Sequence, residues 1–213
     1  MSQAVWGALS DGALATWQAR AADQPALARA VLEAGARTRV FRLASADAHG
    51  GDLQPVDEAA AAETRFRVDL PDGRRLVTPG TICWHEDGTR REGEIVWVGA
   101  LLEHLRPDAL ERESSFMGYQ PPVAVRGGRG NVTIELPTDV WFPRTVGLLE
   151  EDAPWAPAPP SYDNSDLAAC HTPRLNGFLA AVREAADEWE LLEPEEIGLR
   201  YADMVDEAGI RLP

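Results

Sequence analysis

The segment Cys83-Trp84-His85-Glu86-Asp87 sets a thiol and an imidazole two positions apart. On a strand such residues share a face, and an imidazole beside a thiol lowers the thiol pKa toward a nucleophilic thiolate. The plainer reading is a buried cysteine followed by solvated turn residues. The sequence favours it, because His85 runs directly into the turn chemistry of Glu86-Asp87-Gly88.

A second group, Tyr162-Asp163-Asn164-Ser165-Asp166, precedes a helical pattern. Short polar side chains at such a position cap the orphan N–H donors of a helix start. The chemical alternative places Asp163, Asn164 and Asp166 in a cleft shared with His171 and Arg174. Cys83, His85, Asp163 and His171 then become the candidate catalytic residues of a small enzyme of bacterial specialised metabolism.

Arg126-Gly127-Gly128-Arg129-Gly130-Asn131 has the composition of an anion cradle, since glycines let successive N–H groups turn inward. It does not match GxGxxG, and the alternating residues around it predict a hairpin loop. Arg126 and Arg129 remain the candidates for contact with an acidic ligand. His85, His104, Cys83, Cys170 and His171 are of types that suit zinc, but they lack paired spacing, so the sequence predicts no metal and no cofactor.

No GxSxG occurs, and the chain has no lysine. That excludes Schiff-base catalysis, pyridoxal phosphate attachment, the P-loop lysine and the SxxK motif. All 20 basic residues are arginine, which with abundant alanine indicates the GC-rich codons of a bacterial genome.

Several elements must position these groups. Ser10 or Asp11 is expected to cap a helix carrying Leu14 and Trp17. Asp23 caps another with Pro25 in its first turn, Leu27, Val31 and Ala34 on one face, and Gly35 at its end. Thr38–Leu43 alternates as a strand, and Val56–Glu63 reads as a short alanine-rich helix. Strands follow at Arg65–Leu70, Arg75–Val77, Ile82–Trp84 and Glu94–Val98, with Pro71-Asp72-Gly73 as a turn. Pro107–Glu113 reads as a helix, Val123–Val125 and Asn131–Leu136 as a hairpin, and Val140–Phe142 as one more strand.

A proline-rich strap or linker covers 151–162, separating a core domain at 1–150 from an acidic helical segment at 163–213. In that segment Thr172 and Pro173 open a helix with the stripe Leu175, Phe178, Leu179, Val182, Ala186 and Trp189. Pro194-Glu195-Glu196 opens a second, carrying Ile197, Tyr201, Met204 and Val205 and ending at Gly209. The expected fold is α+β, a twisted, mainly antiparallel sheet covered by N- and C-terminal helices.

Charge carries the functional expectation. The net charge is −15, which opposes duplex nucleic acid and anionic membranes. Residues 150–213 hold 15 acidic groups against 4 arginines, so acidity concentrates in the C-terminal segment. Such acidity commonly serves solubility alone. The sharper expectation is a protein-interaction module, an immunity or antitoxin-type neutraliser or a regulatory subunit, that meets a basic protein partner. Its docking residues are Glu184, Asp187, Glu188, Glu195, Glu196 and Asp203 on the polar sides of the two helices. Two cysteines without a CxxC pair, no basic leader before an apolar core and no long apolar run predict a cytoplasmic protein.

Overall fold

The computed structural model describes residues 13–47, 53–56, 67–69, 75–77, 79–86, 89–97, 123–127, 131–137, 141–146, 161–195 and 198–213. The chain is α+β, with mixed helices and mainly antiparallel sheet. The first described element is β1 (Ala15–Arg20), where a helix was expected from Leu14 and Trp17. Period two prevails: Ala15, Trp17 and Ala19 are buried while Thr16, Gln18 and Arg20 turn outward. Two alanines lend this strand little intrinsic preference, so pairing with neighbours on both sides decides it.

Next comes α1 (Gln24–Thr38), capped as expected: Asp23 Oδ1 accepts from the Ala26 N–H at 2.9 Å. Gly35 does not end this helix. It lies inside, and a side chain there would collide with the Phe41 ring. The helix ends instead at Arg39 in the left-handed region (φ 59), where Arg39 N–H donates to Ala36 and Val40 N–H to Gly35. The expected strand start at Thr38 is therefore helical, and β2 runs over Phe41–Asp47.

The remaining strands are β3 (Leu53–Pro55), β4 (Arg67–Asp69), β5 (Arg75–Val77), β6 (Pro79–Glu86), β7 (Thr89–Trp97), β8 (Ala124–Gly127), β9 (Asn131–Leu136), β10 (Arg144–Val146) and β11 (Ser161–Asp163). The long helix α2 (Ser165–Ala185) leads to β12 (Glu188–Leu191). Two 3-10 turns, Gly198–Arg200 and Ala202–Met204, precede the small hairpin β13 (Val205–Asp206) and β14 (Gly209–Ile210). Of the strand expected at Val140–Phe142, Val140 lies outside the described residues and the other two are not in a strand. Trp141 and Phe142 form a buried turn before Pro143, and pairing starts at Arg144. The expected helix at 107–113 lies outside the described residues, as do 57–63 of the helix expected at Val56–Glu63 and 151–160 of the strap expected at 151–162; Val56 is a bend, and Ser161 and Tyr162 belong to β11.

Among the described residues eight strands form one sheet in the order β12-β1-β9-β8-β6-β7-β2-β3, and only the β6–β8 pair is parallel. The C-terminal segment thus adds an edge strand to the sheet begun at Ala15. Register stacks Trp17 opposite Ile134, Ala15 opposite Leu136 and Ala19 opposite Val132, so one sheet face is apolar. Both helices pack into that core, with Leu27 and Val31 from α1 and Leu175, Phe178, Leu179 and Val182 from α2. Phe178 meets Phe41 edge-on at 5.5 Å between ring centroids.

Beside β3, a buried ion pair fastens β2 to β7. Arg91 Nε donates to Asp47 Oδ1 at 3.0 Å, the Glu92 N–H donates to the same oxygen at 3.0 Å, and Arg91 also reaches the Asp47 carbonyl. Asp47 is 7% exposed, so these donors replace the water that a carboxylate would otherwise require.

Candidate functional site

Glu188 and Glu190 fall on a sheet edge rather than on a helix, while Glu184 keeps its expected place on an exposed side of α2. The stripe of α2 stops at Val182 and Ala185. Ala186 turns to extended backbone (φ −95, ψ 145), and the chain passes directly into β12. Glu188-Trp189-Glu190-Leu191 alternates acid with apolar residue, which is strand periodicity, so Trp189 belongs to β12 and not to the helix. The expected second helix is replaced by the 3-10 turns and the terminal hairpin. Gly209 there has φ +129, which glycine tolerates, and the Asn176 amide clamps Ile210 through two hydrogen bonds of 2.8 and 3.0 Å.

Between Glu184 and Glu195 stand six acidic residues and no basic one. Glu184, Asp187, Glu188, Glu190, Glu193 and Glu195 are all exposed. Asp187 is partly committed, since its Oδ2 accepts from the Ala22 N–H at 2.8 Å and fixes the corner after β1. Glu188 lies 3.2 Å from Arg20 in an exposed pair. Trp189 and Leu191 are half-buried against the core, and Trp189 Nε1 donates to the Glu207 carbonyl at 2.8 Å. Glu190 and Glu193 are not among the docking residues expected from the sequence, which was read there as helix. Period two would have found Glu190.

Asp203 stands apart from this run. Arg144 Nη2 donates to both of its carboxylate oxygens, at 3.0 and 3.1 Å, and Arg211 donates to its carbonyl at 2.6 Å. These residues line a cleft of about 510 Å³ with Pro143, Asp163, Ser165, Met204, Leu212 and Pro213. Glu196 lies outside the described residues.

The cleft takes only part of the expected catalytic group. Asp163 lines it, whereas His171 and Arg174 do not. The helix opens at Ser165, eight residues before Pro173, and the Thr172 hydroxyl donates to the Trp141 carbonyl instead of capping. His171 and Asn164 are buried, and Asn164 Nδ2 donates to the Phe142 carbonyl at 2.9 Å. Asp163 does perform the capping role read for its segment, accepting the Ser165 N–H at 2.9 Å. The Ser165 hydroxyl and this N–H hold the Asp163 carboxyl below its ordinary 3.8. The hydroxyl also lies 3.4 Å from the Pro143 carbonyl and has one proton to share. A depressed carboxylate stays ionised at neutral pH and is a weak base there. Its stabilising effect is present above the unfolded pKa and is lost as pH falls through the lower folded value.

Cys83 and His85 occupy β6, opposite Glu92 and Arg90 of β7, and their side-chain placement lies outside the description. Arg126 is exposed and paired with Glu135 at 3.1 Å across β8 and β9, while Arg129 and His104 lie outside the described residues. Cys170 is a free, exposed thiol on α2, next in sequence to the buried His171. Among the described residues no three metal-ligating side chains come together, and no helix is long and apolar enough to cross a membrane. Compared with protein-family models, curated proteins and solved structures, the chain matches none.

Proposed function

We propose that the chain is a cytoplasmic protein-interaction module whose acidic surface docks a cationic protein partner, as a neutraliser of the immunity or antitoxin type or as a regulatory subunit. One observation carries this reading: every acidic residue from Glu184 to Glu195 is exposed, with no basic residue among them. Exposed carboxylates at this density attract a cation over roughly a Debye length, about 8–10 Å at physiological salt. Such a field chiefly accelerates encounter and orients the partner.

A variant with Glu184, Glu188, Glu190, Glu193 and Glu195 all changed to Gln tests the reading. The partner is recovered from the source organism, and its association rate is followed at low and moderate salt. Wild type is expected to associate faster at low salt, and the variant more slowly with a flatter salt response. Asp187 is left in place because it also holds the Ala22 N–H. Equal rates and slopes would reduce the acidity to a role in solubility.

A further inference from the structure

We propose that the outer edge of β12 receives an extended segment of a partner polypeptide, alternating cationic and apolar side chains, as a ninth strand of the sheet. This rests on the reading of the acidic surface as a docking face and specifies what docks there. Among the described residues β12 pairs with β1 alone and ends the sheet. In an antiparallel ladder alternate residues turn their N–H and C=O groups away from the neighbour, so half of the β12 peptide groups face outward. Glu188-Trp189-Glu190-Leu191 contains no proline, so every outward N–H is available as a donor.

The side chains specify the occupant. Glu188 and Glu190 stand exposed on one face of the sheet, and the half-buried Trp189 and Leu191 form an apolar rim on the other. An added strand with Arg or Lys on the first face and aliphatic residues on the second matches both at once. Glu184, Asp187, Glu193 and Glu195 extend the attraction beyond the ends of β12. A second copy of this chain is a poor occupant, because its own β12 would set glutamates beside glutamates. Arg20 is no obstacle, since its pair with Glu188 is exposed and weak against solvent.

The probe is a nine-residue peptide alternating Arg and Val, titrated calorimetrically into the full chain at low salt. Three companions are compared: a peptide with the same residues in an Arg block and a Val block, one N-methylated at every Val amide, and one N-methylated at every Arg amide. The alternating peptide is expected to bind. The block peptide and at least one methylated peptide should bind about tenfold more weakly, the loss expected when one or two hydrogen bonds fail. The double change Glu188→Gln with Glu190→Gln should weaken the alternating peptide by a similar factor. Equal binding of all four peptides would overturn strand addition and leave the acidic docking surface standing. If no cationic peptide binds, and the recovered partner is indifferent to the five Gln changes, both readings fall.

Discussion

The two edges of the eight-stranded sheet are finished by different chemistry. β3 is three residues long and ends at Pro55 opposite Ser45; its exposed Gln54 and Pro55, and Val56 just beyond it, carry no charge. β12 keeps all its backbone donors and carries glutamate at alternate positions. Proline denies a hydrogen bond to any incoming strand, whereas glutamate repels only a strand of like charge. Pro55 withholds a donor at the first edge, whereas every residue of β12 keeps one. That difference is why docking is proposed at β12.

The comparison breaks most severely beside β3. Asp47→Ala would leave the Arg91 guanidinium without its buried carboxylate and the Glu92 N–H without an acceptor. Removal of one partner from a buried pair costs about 3–5 kcal/mol, read here as a drop in the urea midpoint. A near-wild-type midpoint would mean that the β3 side is held by something other than this pair.

An intermediate loss is expected where the terminal hairpin meets α2. Gly209→Ala would force an alanine to φ +129 and drive its Cβ into the Asn176 side chain that clamps Ile210. The strain should cost about 1–3 kcal/mol in thermal or urea unfolding. An unchanged melting curve would show that this clamp does not anchor the hairpin.

The smallest effect on stability belongs to the acidic edge itself. Glu188→Gln removes an exposed pair with Arg20 and should shift stability by less than about 0.5 kcal/mol. A loss comparable to that of Asp47→Ala would recast Glu188 as a structural residue and weaken the contrast between the edges.

How much of this was legible depended on whether local pattern and tertiary pairing agreed. Asn131–Leu136 alternates cleanly, and it forms β9 with the expected limits. Asp23 with Pro25 announces α1, and the buried stripe Leu175, Phe178, Leu179 and Val182 announces α2. At Leu14 and Trp17 two residues spaced three apart imitate a helix, while small alanines hide the buried side of β1. Pro173 looks like a helix start because proline is favoured there, yet α2 tolerates it inside, with its ring exposed. Trp189 fits the end of the helical stripe and equally the alternation of a strand, and its partners on β1 decide between them. The acidity of the site could be read from composition. Its place on a sheet edge could not, because that edge exists only once β12 has paired with a strand some 170 positions earlier in the chain.

The most direct measurement is the salt dependence of the partner's association rate for two variants with equal charge change. One carries Gln at Glu188, Glu190 and Glu193 on and beside β12. The other carries Gln at Glu33 and Glu92 and Asn at Asp166, which are exposed elsewhere. Both lose three negative charges, so a nonspecific effect of net charge would act on them alike. The β12 variant is expected to associate more slowly and with a flatter salt slope, while the control stays close to wild type. Equal slowing in both variants, or none in the β12 variant, would contradict it.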